Sequence, residues 1–149
     1  MKIRNIWSKV EEPLELHSDS RGKIVDIFYN KNIDHVAAIT SKPYTVRGDH
    51  YHKETTQSIL ITKGFLEYWH KPADSDNDAE MIVARVGDLV TSPPFEVHTL
   101  VTRGDENHFI VFSEGARGGP DYESDTYRVQ TIIPSSKDPR VNKGCENEL

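Results

Sequence analysis

Apolar and polar side chains along this chain alternate with a period of two rather than 3.6, and no window carries a sustained helical stripe. Residues 22–30, 35–40, 57–70, 81–86, 97–102 and 108–112 are rich in Ile, Val, Phe, Tyr and Thr, and each is predicted as a strand. Turn chemistry separates them: Asp19-Ser20-Arg21-Gly22, Lys63-Gly64, Val86-Gly87-Asp88 and Arg103-Gly104-Asp105. The Asp/Asn-rich run at residues 74–78 reads as an exposed hairpin tip. Many short strands at this spacing predict an all-β sandwich or barrel, and no internal repeat points to a propeller. From Pro134 onward the chain is polar and punctuated by proline and glycine. The expected organisation is one barrel domain over residues 1–133 and a polar tail over 134–149, either loose or an arm on a neighbouring subunit.

Size and charge narrow the picture. A chain of 149 residues is one domain that buries about two-thirds of its unfolded surface. The single cysteine, Cys145, rules out an internal disulfide and is compatible with a reducing compartment. The first ten residues have no apolar core of signal-peptide length, and aliphatic runs such as Ile59-Leu60-Ile61 are too short to span a bilayer. A soluble, cytoplasmic protein without a membrane contact is expected. A net charge of −6 argues against broad binding to nucleic acid or anionic membrane, while a local cationic site could still take a small phosphate ligand.

The chemistry concentrates in Arg47-Gly48-Asp49-His50-Tyr51-His52-Lys53, with Gln57 soon after and His98 far downstream. His50 and His52 are two apart, so on a strand their rings face one side, the interior of a barrel. His50, His52, Gln57 and His98 form a candidate site for a divalent metal, for which zinc, iron, nickel or manganese would suit. Gln57 offers a neutral amide oxygen, a poorer ligand than a carboxylate, so the same residues can also work without metal, with Gln57 hydrogen-bonding a substrate hydroxyl. His17, His35, His70 and His108 carry no motif and read as structural or exposed, and Trp69 and Phe65 read as barrel core.

These spacings carry a family resemblance. His50-x-His52, four residues, Gln57, six residues and Gly64 resemble the first cupin motif, with Gln57 where glutamate is usual. Gly87, five residues, Pro93 and then His98 resemble the second, with Phe95 where glycine is common and Thr102 where asparagine is common. The resemblance implies a cupin jelly roll, a double-stranded β-helix with the site inside the barrel. Asp19-x-Arg21-Gly22 and Arg47-Gly48-x-His50 narrow it to the sugar-nucleotide cupins, the dTDP-4-keto-6-deoxyglucose 3,5-epimerases and the 3,4-ketoisomerases. Thr40-Ser41-Lys42-Pro43 leading into Arg47 is similar to the cupin domain of bifunctional epimerase/reductases of the N-acetyl-L-fucosamine pathway. His52-Lys53-x-x-x-Gln57 and Tyr122 to Arg128 look more like the ketoisomerases.

The implied reaction begins with loss of a proton from carbon beside a ketone, which leaves charge on an enolate oxygen. A positioned base contributes roughly 10² to 10⁴ in rate, and a preorganised donor roughly 3 kcal/mol. The resemblance places His50 as the base. Arg47 suits a diphosphate through its fork of donors, with Arg21 and Lys42 as second choices. Tyr122 or Tyr127 would supply the general acid. The ligand would be a dTDP- or UDP-linked 4-keto-6-deoxy sugar in surface polysaccharide synthesis, and a homodimer is implied. Two other readings stay open: a metal-dependent cupin oxygenase, and a non-catalytic cupin that binds sugar or metal.

Overall fold

The computed structural model describes residues 1–115, 120 and 123–141. Two five-stranded antiparallel sheets face one another. The first has the order β1(Lys2–Asn5), β9(Asp88–Ser92), β6(Thr56–Lys63), β11(Asn107–Glu114), β4(His35–Ser41). The second has β12(Tyr127–Arg128), β5(Thr45–Tyr51), β10(Glu96–Thr102), β7(Phe65–Pro72), β8(Glu80–Arg85). A separate ribbon joins β2(Leu16–Asp19) to β3(Gly22–Val25). Sequence neighbours such as β6 and β7 lie in opposite sheets, and this crossing of the chain between sheets is the expected jelly roll.

Alternation fills the space between the sheets. Phe109 and Val111 of β11, Ile59 and Ile61 of β6, Val90, Leu66, Tyr68, Leu100 and Ala84 make one buried cluster. Fully burying each large apolar side chain contributes about 1.5–3 kcal/mol. Period two fades where a sheet is covered on both faces. All seven residues of β10 are buried, because Trp69 and Val101 on the outer face pack under Ile132 and Ile133. Ile27 and Phe28 likewise cover Leu60 and Leu89 behind β6 and β9.

Several boundaries differ from expectation. The strand predicted over 22–30 ends at Val25, since Ile27 and Phe28 are apolar as covering residues and not as strand residues. The stretch 57–70 divides at Gly64, whose φ of +72° turns the chain from one sheet to the other. A Cβ at Gly64 would lie 2.8 Å from the Glu106 carbonyl oxygen. Strands β1, β2, β5, β9 and β12 were not predicted as such; they are short or interrupted by charge and glycine. The expected loose tail is also corrected in its first part. Residues Ser135–Lys137 form a 3-10 turn, Asp138 and Pro139 are buried, and Arg140 bonds both Asp138 and Asp49. Cys145 lies outside the described residues.

Candidate active site

Strand register builds the site from two facing polar rows. On the second sheet, His98 pairs with His70 of β7 and His50 of β5, and His50 pairs with Arg128 of β12. On the first sheet, Ser113 pairs with His35 and Gln57, and Gln57 pairs with Ser92. The next inward row of that sheet, Ala37, Val111, Ile59 and Val90, is apolar. A cavity of about 970 Å³ lies between the rows, within the size range of small-molecule sites.

A β-bulge aims the central histidine. His98 pairs with His50 and Thr99 with Gly48, which leaves Asp49 as the extra residue. Gly48 has φ of +106° and Asp49 of +54°, and a Cβ on Gly48 would stand 2.5 Å from the His98 carbonyl oxygen. Asp49 locks the bulge from outside. Its carboxylate accepts from Thr99 and Thr131 hydroxyls at 2.8 Å and from Arg140 at 2.9 Å, and its carbonyl accepts from the Val129 N–H at 2.9 Å. Asp138 raises the Arg140 pKa beyond its ordinary value, burial opposes this, and Asp49 adds to the rise.

His50, His52 and His98 therefore meet with ligand atoms within 4.8 Å of one another. They are 9%, 2% and 5% exposed, and Gln57 is 9% exposed. His50 Nε2 and His98 Nε2 are 3.1 Å apart. His52 stands one residue beyond β5, and its ring still turns inward because Nδ1 is held by the Asp125 carbonyl at 2.8 Å. A carbonyl only accepts, so Nδ1 carries the proton and a neutral ring presents a lone pair at Nε2. That nitrogen lies 3.2 Å from Gln57 Oε1, while Gln57 Nε2 is turned toward Ser113 Oγ at 3.5 Å. A neutral His52 ring thus turns a second acceptor toward Gln57 Oε1, a contact that a proton or a divalent cation closes, while His50 and His98 share one N–H between their Nε2 atoms. The donor set fits such a cation: three imidazoles and an amide oxygen match zinc, iron, nickel or manganese.

The remaining predicted residues divide. Arg47 lines the cavity, anchored to Ser41 Oγ at 3.0 Å and the Thr40 carbonyl at 2.8 Å. Lys42 is exposed and does not line it. Arg21 is 86% exposed at the ribbon turn, where it pairs with its own Asp19 at 2.8 Å and not with the cluster. Tyr127 pairs with Tyr51, one position off His50, so its ring lies on the outer face, stacked 5.4 Å from Tyr51 with the Lys53 ammonium 4.1 Å above it. Tyr122 lies outside the described residues.

Sequence reasoning missed four contributors. Tyr68 is 2% exposed, lines the cavity, stacks on His98 at 6.2 Å and bonds Ser92 Oγ. Burial, then the Glu96 charge, push its phenol well above the ordinary range, so it stays protonated. Its signal was parity: Leu66, Tyr68 and His70 share the inner face of β7. Arg128 lines the cavity beside His50 and pairs with Glu123. Asp49 acts through Thr99, Thr131, Arg140 and Val129, and Asp125 through the backbone N–H groups of the turn after His52.

With this geometry in view, residues 17–127 match the polysaccharide biosynthesis C-terminal domain family. The chain belongs to that family. In addition, 53 residues of the chain are 32% identical to a UDP-2-acetamido-2,6-beta-L-arabino-hexul-4-ose reductase of Pseudomonas aeruginosa, a match over 36% of this chain and 14% of that protein. Among solved structures, a 3,4-ketoisomerase from Helicobacter canadensis superposes with a TM-score of 0.65 at 18% identity over 86% of this chain and 90% of that one. The 3,4-ketoisomerase QdtA of Thermoanaerobacterium thermosaccharolyticum, solved as a double variant with TDP, gives 0.61 at 20% identity over 78% and 83%. The capsular polysaccharide assembling protein CapF of Staphylococcus aureus gives 0.57 at 22% identity, over 80% of this chain and 35% of CapF. The family domain thus has the fold of these isomerases, and it spans about a third of CapF and a seventh of the reductase. Among the described residues no helix is long and apolar enough to cross a membrane.

Proposed function

We propose that this chain is a sugar-nucleotide isomerase, an epimerase or 3,4-ketoisomerase. It removes a proton beside the ketone of a dTDP- or UDP-linked 4-keto-6-deoxy sugar, in the making of a surface polysaccharide. The observation that carries this reading is the buried imidazole cluster at a cavity of mixed polar and apolar lining that also includes Arg47 and Arg128. Family membership and the shared fold of nucleotide-sugar ketoisomerases support it.

In this reading His50 takes the carbon-bound proton and shares it with His98, whose nitrogen is 3.1 Å away. Charge then develops on the enolate oxygen, and the protonated Tyr68 hydroxyl is the donor beside it. Tyr68 takes the acid role expected of Tyr127, whose ring is on the outer face. Arg47 and Arg128 hold the diphosphate by paired N–H donors, and Gln57 bonds a sugar hydroxyl. Arg21 and Lys42 have no part.

A second reading is favoured by the facing acceptors at His52 and Gln57. Here His50, His52, His98 and Gln57 hold a divalent cation, which would supply Lewis acidity. His50 then cannot also act as the base. A homodimer belongs to the proposal, supported by the exposed Val36 on β4, the end strand of its sheet, and by exposed Ile24. A cytoplasmic location fits a nucleotide-sugar substrate.

The test is incubation with dTDP- and UDP-linked 4-keto-6-deoxy sugars in deuterated water, with and without chelator. Deuterium enters the sugar beside the ketone if the proposal holds, and no uptake from any of them refutes it. Uptake that survives chelation assigns His50 as a free base. Uptake lost with chelator and restored by metal assigns the cation site.

A further inference from the structure

The segment before β12 reaches across the site at one residue. Asp125 Oδ1 accepts from the Lys53 N–H at 2.9 Å, and Oδ2 from the N–H groups of Glu54 and Thr55, each at 2.9 Å. Its own carbonyl receives His52 Nδ1 at 2.8 Å. One aspartate therefore binds four consecutive residues, His52 to Thr55, that form the whole turn between β5 and β6. Three successive N–H groups converging on a carboxylate make an anion nest, a rigid device because each donor fixes one peptide plane. Burial pushes the carboxyl up, yet these bonds outweigh it and hold Asp125 below the ordinary carboxylate range.

Backbone geometry by itself does not set the tautomer of the His52 ring. Neutral imidazole has two tautomers of similar energy, and which nitrogen is protonated is set by the bond the other makes. Beyond the end of β5 the His52 backbone is held by the Phe95 N–H, which donates to its carbonyl at 2.7 Å, and that bond does not set the ring's tautomer. We propose that Asp125 is the positioning residue for His52: its carboxylate anchors the turn, and its carbonyl fixes the tautomer that directs the Nε2 lone pair at Gln57, His50 and His98. This role rests on the proposed reading of the cluster as the working site, whereas the tautomer itself is measured without substrate or metal.

A purely structural cap would leave the tautomer alone, so imidazole nitrogen resonances decide. In long-range proton–nitrogen correlation spectra of the labelled full chain, with His52→Gln for assignment, wild type is expected to show His52 protonated at Nδ1 and bare at Nε2. Asp125→Ala is expected to lose that signature for an averaged pattern, and Glu123→Gln, which breaks only the pair to Arg128, to keep it. Asp125→Asn retains one acceptor and should show a partial loss; if Asp125→Ala does not fold, this milder variant decides. An unchanged His52 pattern in the folded Asp125 variant overturns the proposal. A titration with zinc alone adds a second arm. Asp125→Ala should raise the zinc Kd about 10- to 100-fold, with Glu123→Gln within about twofold of wild type, and an unaltered Kd in Asp125→Ala also overturns it. If wild type binds no zinc, the cation reading of the cluster fails and the nitrogen spectra alone judge Asp125.

Discussion

Replacing Gly48 by alanine tests whether the bulge, and not the histidine spacing by itself, makes the site. The residue sits at φ of +106°, outside even the left-handed helical region that other residues sometimes tolerate. Holding a side chain there costs about 1–3 kcal/mol. The added methyl would also meet the His98 carbonyl oxygen at 2.5 Å and the Thr99 Cα at 3.1 Å. Both belong to the backbone of β10, buried along its whole length, so the contact cannot be relieved by a rotating side chain. Overpacking of this kind costs about another 1–3 kcal/mol. We expect Gly48→Ala to lower the unfolding free energy by about 4 kcal/mol, or Tm by about 12 °C. Gly104→Ala is the matched control, since nothing lies within 4 Å of its Cβ position. Urea unfolding followed by tryptophan fluorescence reads both, with stability taken from the midpoint at unchanged m-value. A Gly48→Ala protein within about 1 kcal/mol of the control would refute the argument.

Tyr68→Phe keeps the ring against His98 and removes only the hydroxyl; deuterium exchange into substrate should fall about 10²- to 10⁴-fold, and wild-type exchange would exclude Tyr68 as the acid. In alkaline titration by ultraviolet absorbance, Tyr68 should ionise last. Because its folded pKa is raised, the protein loses stability as pH climbs above the ordinary phenol value of about 10. Gln57→Glu should tighten zinc binding by adding a negative charge, measured by calorimetry, and equal or weaker binding would count against Gln57 as a ligand. The bond from Arg140 depresses the Asp138 pKa against the opposing effect of burial. Its stabilising contribution is therefore complete above the unfolded value of about 3.9 and lost as pH falls through the folded value. Asp138→Asn should flatten that part of the stability–pH curve between about pH 2 and 5, and an unchanged slope would show that the pair contributes nothing.

The all-β class and the histidine cluster were legible in the chain because both are encoded at short range. Alternation predicts β4, β8, β10 and β11 nearly to their ends, and the offset between His50 and His52 places both rings in one neighbourhood. The stretch 22–30 misled because Ile27 and Phe28 cover the back of a sheet, and apolar content does not separate a covering segment from a strand. Arg128 and Asp125 were not legible for a different reason. Each reaches the site through pairing or contact with a distant strand, Arg128 opposite His50 and Asp125 against His52, and such register is not written in local spacing. Tyr127 shows the same limit from the other side, because a single position decides which face of β12 a ring occupies.

The two facing rows also tie the site to the order in which the chain assembles. His98 meets His50 across 48 residues, Gln57 meets Ser113 across 56, and His52 meets Asp125 across 73. No partial assembly of neighbouring strands contains this constellation. Loop closures of that length are slow to form, so the pocket should arise only in the last, millisecond-to-second events of folding. A nucleotide sugar that needs the whole cluster then has no site on any earlier species, and it stabilises the native chain alone, by about 2.7 kcal/mol at a hundred times its Kd. Nucleotide-sugar binding to this protein therefore reports the fraction of molecules whose barrel is closed.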